Sequence, residues 1–379
     1  MNYAHENELL LSVARRDVNH TVVRQQLDWD YVVATARAHG LLPLLQKHVG
    51  TSELVPGGVL SRLKREAVAN SQTMLHLAGK QLRVYKLFKE HGIPVAIFKG
   101  ALLAHMAYGE MSLRQAGDID MLVHCRDFAP ARLLLESLGY EMTPRLTPAQ
   151  LASHLSNHCE IQFMRDEWFT VVDLHWDLAP RSFVFGLKAD DVMSRLQTVS
   201  LAGTNVETFD AEDLLLYQAM HGAKHLWRRL EWITSLAESL RATPEIDWNT
   251  LINRAANAHA TRILSLGLRL VEQFSDVPVP VIASLDRDAS MQRMAARIRA
   301  QIFNNFGYAD STETNLYNLR IMDRKRDALV SALRSIFVPT LPDWQALALP
   351  SSLHPLYYAY RPLRLSKVYT LSLLKTLRR

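Results

Sequence analysis

Three acids stand where they could do chemistry together. Asp118 and Asp120 flank a single apolar residue in GDIDMLV, and Asp173 lies in VVDLHWD. Strand side chains two residues apart leave the same face, so Asp118 and Asp120 point together while Ile119 and Met121 face the opposite layer. In the second run Val172, Leu174 and Trp176 form one face, and Asp173, His175 and Asp177 the other. If the two strands are neighbours, three carboxylates converge. Like charges that close repel, and burying them without a counter-ion is costly. Mg²⁺ answers that need, because it takes carboxylate, water and phosphate oxygens, with Mn²⁺ as a substitute. Two such ions would activate an attacking hydroxyl and stabilise a leaving pyrophosphate. The plainer alternative has Asp118 starting the strand and Asp120 paired with a cation such as Arg114. His175 shares the face of Asp173 and is expected as a hydrogen-bonded support more than as a proton relay. A further Asp-x-Asp, Asp286 to Asp288 in SLDRDASM, has no strand around it and reads as a turn and helix cap.

Features that suit a phosphate precede the first pair. The strand PVAIF ends in Phe98-Lys99-Gly100, and a helix starts at once. Free N–H groups and the helix dipole favour an anion there. Gly100 lets a phosphate approach the backbone, Lys99 supplies a point charge, and Arg114 is a second candidate contact. Later, MHGAKHLWRRLEW spaces His221, Lys224, His225 and Arg228 at zero, three, four and seven, which predicts one basic helical face. Leu216, Ala219, Ala223, Leu226 and Leu230 would form the core-facing side. Such a stripe is either solvated or turned toward nucleotide phosphates. Zinc binding by these histidines lacks a third ligand at fitting spacing.

These groups need a frame. Residues 1–89 read as helical: Asp28 caps DWDYVVATARAHGLLPLLQKHV, and a long amphipathic helix follows, stopped by Gly92 and Pro94. Residues 90–200 change period and read as an α/β (α+β) core with a small mixed sheet. There Gly100 to Tyr108 is helical, Asp127 caps FAPARLLLESLGY, and Asp166-Glu167 turns between two alternating strands. Residues 201–338 return to helices, first a continuous one through AEDLLLYQAMHGAKHLWRRLEWITSLAESL, then others near 287–303 and 321–336. Residues 339–379 form a proline-containing arm ending in a basic amphipathic stretch with Arg361, Arg364, Lys367, Lys375, Arg378 and Arg379. That stretch is a solvated final helix or a contact for an anionic membrane surface or RNA.

The 379 residues, 48% hydrophobic and 21% charged, suit an ordinary globular protein with a substantial core. No apolar run is long enough to span a bilayer. The first residues hold early acids and no basic-then-apolar leader, so the default location is cytoplasmic. Two cysteines, Cys125 and Cys159, are too few for a disulfide framework and are expected as free buried thiols. The formal charge of +5 favours an anionic partner without choosing among nucleotide, RNA and lipid.

The stretch KGALLAHMAYGEMSLRQAGDIDMLV, followed by VVDLHWDL, resembles the uncharacterised bacterial nucleotidyltransferase family of the polymerase-β-like superfamily. The later AEDLLLYQAMHGAKHLWRRLEWI and LPSSLHPLYYAYRPLRL are similar to it as well, so the resemblance spans most of the chain. It implies that Asp118 and Asp120 are metal ligands, Asp173 the third carboxylate, and Lys99-Gly100 the counterpart of the superfamily's Gly-Ser. The implied activity is Mg²⁺-dependent transfer of a nucleoside monophosphate from an NTP, ATP first, to a small-molecule or protein acceptor. An RNA acceptor and a non-catalytic nucleotide-binding scaffold are the alternatives. Two departures stand out: the gap from Gly100 to Asp118 is long for the superfamily, and Ser235 occupies a position where the family commonly has an Asp.

Overall fold

Helix caps and breakers set the elements of the first quarter of the chain. The computed structural model describes residues 3–17, 23, 25–165, 170–281, 285, 289–304 and 311–377. It begins with helices α1 (Ala4–Arg15), α2 (Trp29–Ala38), α3 (Leu42–Val49) and α4 (Gly57–Glu90). Asp28 caps α2 as expected, its side chain accepting from the Tyr31 N–H at 3.0 Å. The run it opens is two helices, because Gly40 takes φ +70° and a Cβ there would strike the Glu231 side chain. The long amphipathic helix is α4, whose Leu77, Val84, Tyr85 and Phe88 are buried.

Next come β1 (Val95–Ala96), α5 (Gly100–Tyr108), β2 (Asp118–Val123), α6 (Phe128–Ser137), β3 (Glu141–Thr143), α7 (Pro148–Asn157), β4 (Glu160–Arg165) and β5 (Thr170–His175). The strands form one five-stranded sheet in the order β1-β2-β5-β4-β3. Only β2 and β5 are parallel, so the sheet is mixed. One face carries Ile119, Met121, Val123, Val172, Leu174 and Trp176 into a core shared with α4 and α6. The opposite face carries Asp120, Asp173 and His175 toward Phe98 and Tyr217. Asp127 stands at the N-cap of α6 but makes no capping hydrogen bond, contrary to expectation. Asp166 and Glu167, and likewise Asp286 and Asp288, lie outside the described residues.

A short helix α8 (Ala189–Met193) leads to a hairpin of β6 (Gln197–Leu201) and β7 (Thr204–Thr208) that the sequence reading lacked. Its turn residues, Ala202 and Gly203, both take positive φ, the geometry that matches strand twist in two-residue hairpins. The hairpin reaches the sheet edge, where the Ile97 N–H donates to the Glu207 carbonyl at 2.9 Å.

Helices return as α9 (Ala211–Lys224), α10 (Leu230–Ala242), α11 (Trp248–Asn257), α12 (Thr261–Phe274), α13 (Ala289–Gln301), α14 (Ser311–Ile321), α15 (Lys325–Phe337), α16 (Leu341–Ala346) and α17 (Tyr357–Leu377). The expected continuous helix after Asp210 is two. It breaks at Leu226 and Trp227, both at positive φ, where the Trp227 indole folds back onto Gly222 and leaves no room for a Cβ. Helix α14 is an addition to the two expected nearby.

The basic arm is partly occupied by the fold itself. Arg361 and Arg364 reach the buried Asp343 at 2.6 and 2.5 Å, so these two cations anchor α17 rather than face a partner. Lys367 is exposed, whereas Arg378 and Arg379 lie outside the described residues. Both cysteines are free; Cys159 is buried as expected, but Cys125 is exposed. Among the described residues no helix is long and apolar enough to cross a membrane.

Candidate active site

The parallel ladder of β2 and β5 sets Asp120 directly opposite Asp173 and Asp118 opposite Val171. Alternation along both strands turns the two paired acids to the same side. Ligand atoms of Asp120, Asp173 and His175 lie within 4.8 Å of one another. Asp118 stands two residues earlier on the same strand, outside that tight group. Asp120 is 2% exposed and Asp173 8%.

Neutralisation within the group is one-sided. Lys99 Nζ donates to Asp120 Oδ1 at 2.7 Å, and His175 Nε2 lies 2.9 Å from the same oxygen. The other imidazole nitrogen is 3.1 Å from Glu160 Oε2, which the antiparallel β4–β5 register places across from His175. Burial alone would favour neutral imidazole, but Glu160 and Asp120 lift His175 to about 10. Burial would raise Asp120 too, yet Lys99 and His175 hold it well below the usual carboxylate range. Glu160, half-buried, is drawn down to about 2 by His175 and Lys224 against the penalty of its partial desolvation.

Asp173 has no such help. Burial, and then the charge of Asp120, push it up to about 7. Its Oδ1 is buried with no hydrogen-bond partner among the described residues. Asp118 is raised in the same direction by burial and by Asp120. A buried carboxylate oxygen without a partner, beside further hard oxygen donors, fits a divalent cation. The expected alternative of an Asp120 pair is also present, but its partners are Lys99 and His175 rather than Arg114.

Lys99 and Gly100 lie at the start of α5. Lys99 is extended at the N-cap and Gly100 takes φ +61°. A Cβ on Gly100 would meet only the Asp118 carbonyl oxygen, at 3.8 Å, so conformation rather than space favours glycine there. The Lys99 ammonium turns inward to Asp120 and lies 5.6 Å from the centre of the Tyr217 ring. Arg114 is held in the loop before β2. Asn70 binds its carbonyl at 3.1 Å, and its guanidinium reaches the buried Glu231 at 3.1 Å. Glu231 also takes Arg229 at 2.7 Å.

The expected basic face does not form. Helix α9 ends at Lys224, so Arg228 leaves its face and turns to Glu313. His221 and His225 pack against each other and against Trp232. Burial drives His221 well below its ordinary range and His225 to about 3, so neither offers positive charge at neutral pH. Lys224 remains: its charge reaches Glu160. Ser235 is buried in α10, its Oγ 3.2 Å from the Tyr108 hydroxyl, between Glu231 and Glu238 on the same helix. The sequence reading missed Glu160 and Tyr217. The signal for Glu160 is its register opposite His175, which needs the β4–β5 pairing to be known.

A family model described as an uncharacterised nucleotidyltransferase matches residues 25–276, well over half of the chain. No curated protein matches it. Chains of solved structures do. One is the antibiotic-resistance factor ANT(2'')-Ia, 15% identical, over 59% of this chain and 96% of that one, with a TM-score of 0.27. Another is an antigenic nucleotidyltransferase-like protein from Paracoccidioides brasiliensis, 15% identical, over 48% and 86%, with a TM-score of 0.29.

Proposed function

The chain belongs to this uncharacterised nucleotidyltransferase family, and from that premise we propose that it moves a nucleoside monophosphate from an NTP, ATP first, to a nucleophile of a small-molecule or protein acceptor. The observation that carries the reading is the facing pair Asp120 and Asp173, one neutralised and one with an orphaned oxygen. Asp118, Asp120 and Asp173 would hold Mg²⁺, one ion or two. When bound, it supplies charge neutralisation to the triphosphate and the leaving pyrophosphate.

The remaining roles fall to the chain's own groups. The acceptor oxygen forms a bond to the α-phosphorus while the α–β bridging bond breaks and pyrophosphate leaves. Asp173 would accept the acceptor's proton at whichever carboxylate oxygen does not hold the ion. Asp120 is kept ionised by Lys99 and His175 across the working pH range. Lys99 is placed to move to a phosphate oxygen once Asp120 has another cation. Gly100 and the first turn of α5, with Lys224 and Arg114 at the edges, would orient the phosphates. His221 and Arg228 are left out, because the first is neutral and the second points elsewhere.

A thermal-shift panel of NTPs with and without Mg²⁺ tests the reading. A ligand at about a hundred times its Kd adds about 2.7 kcal/mol of stability by mass action. The expected result is a metal-dependent upshift that the Asp118→Ala, Asp120→Ala double variant loses. A folded wild type with no metal-dependent shift for any NTP would contradict it.

A further inference from the structure

Cations collect at one groove in the C-terminal helices. A groove of about 610 Å³ is lined by Arg262, Arg293, Arg297, Arg320, Arg324 and Lys325. Setting Arg262 aside, these side chains are exposed and none is ion-paired among the described residues. Asp323, the one acid among the described lining residues, is spent on the N-terminus of α12, accepting from the Thr261 and Arg262 N–H groups at 2.8 Å. Arg324 and Lys325 stand at the N-cap and first residue of α15, the helix end where cations are disfavoured. The whole chain carries a formal +5, and an excess of that size sits around this groove alone. Packed like charges do nothing for the fold; they attract an anion.

The groove shares Met294, Arg297 and Arg320 with a narrower pocket of about 240 Å³, whose walls include Leu226, Trp227, Ile298 and Tyr317. The Tyr317 hydroxyl is buried and has no hydrogen-bond partner among the described residues. Whole small ligands fill pockets of roughly 300 Å³ or more, so this one suits a single ring system of something larger. Cations that track a backbone, beside an apolar aromatic slot for a base, are how single strands are held. A recessed groove between helices also favours a strand over a flat lipid surface.

We propose that this groove binds single-stranded nucleic acid, with successive phosphates on Arg293, Arg297, Arg320, Arg324 and Lys325 and one base in the pocket beside Tyr317. The site is separate from the carboxylates and does not depend on their assignment.

Fluorescence anisotropy of the full chain with labelled oligo-U and oligo-dT of about twelve nucleotides tests this, the two probes separating RNA from DNA. Engaging all five cations gives a slope of log affinity against log salt of about −3.5, which is about a hundredfold between 50 and 200 mM salt. Combining Arg293→Glu, Arg297→Glu and Arg324→Glu is expected to abolish binding. The control pair Lys64→Glu and Arg65→Glu, on the exposed side of α4, is expected to keep it. Should the triple variant misfold, Arg324→Ala with Lys325→Ala is expected to flatten the slope by about 1.4. Three results would overturn the proposal: no strand binding at low salt, equal affinity in groove and control variants, or binding confined to free ATP or anionic vesicles.

Discussion

Asp120 and Asp173 face each other across two parallel strands, yet one has two cations on a single oxygen and the other has an oxygen with no hydrogen-bond partner among the described residues. The asymmetry explains how the acids can be buried before any ion arrives. Lys99 and His175 neutralise one side, and partial protonation relieves the other.

Asp173 therefore costs stability as pH rises. Its folded value of about 7 lies above the ordinary 3.8, so between those limits the unfolded chain has already released the proton that the folded chain still holds. The contribution is present below pH 4 and lost as pH climbs through 7. Asp173→Asn is expected to abolish transfer while raising the metal-free Tm at pH 8, by at most about 4 kcal/mol in stability. Melting curves of both proteins from pH 5 to 8 check this; a variant less stable than wild type at pH 8 would contradict it.

His175 supports the fold, although its contribution also falls as pH rises. Removing it leaves the buried Asp120 with Lys99 alone and the half-buried Glu160 short of a partner, so His175→Ala is expected to cost about 3 kcal/mol in urea unfolding at pH 7, the low end for a broken buried pair. Because its folded value is raised from 6.5 to about 10, its support is complete below pH 6.5 and fades as pH rises toward 10. The wild-type–variant difference in unfolding free energy should shrink over that window.

Lys99→Met removes the ammonium from Asp120 and from the proposed phosphate site together. A charge-assisted hydrogen bond is worth about 1.5–3 kcal/mol, so nucleotide affinity by titration calorimetry is expected to fall about tenfold or more. Unchanged affinity would place Lys99 in a purely structural role.

Gly100→Ala separates conformation from crowding. The nearest atom to an added Cβ is 3.8 Å away, so the cost is that of a left-handed alanine, about 1–2 kcal/mol, measured by denaturant unfolding. A much larger loss would mean that α5 cannot start there without glycine.

Ser235→Asp tests whether an acid is missing from α10. Ser235 is buried at 3% exposure between Glu231 and Glu238, so a third carboxylate is expected to destabilise by several kcal/mol, of the order for an unpaired buried charge. Gain of activity without such a loss would show that the position is open to substrate.

The acids were legible in the sequence because side chains two apart on a strand share a face, which puts Asp118, Asp120, Asp173 and His175 on one side even though Leu122 and Val171 share it. The register that pairs Asp120 with Asp173 was not legible, since the two strands are far apart in the chain and pair through tertiary structure. Nor was the end of α9. HLWRRLEW contains no glycine or proline, and its break comes from Trp227 packing on Gly222, a contact that local propensity cannot anticipate. That single turn is why the expected basic face dissolved and why Arg228 belongs to another pocket.

Crystals grown with Mn²⁺ and a non-hydrolysable ATP analogue test the central claim most directly. The account predicts an anomalous scattering peak between Asp118, Asp120 and Asp173, with the Lys99 ammonium withdrawn from Asp120 toward phosphate. Nucleotide bound with no peak at those three carboxylates, and Lys99 still on Asp120, would contradict it.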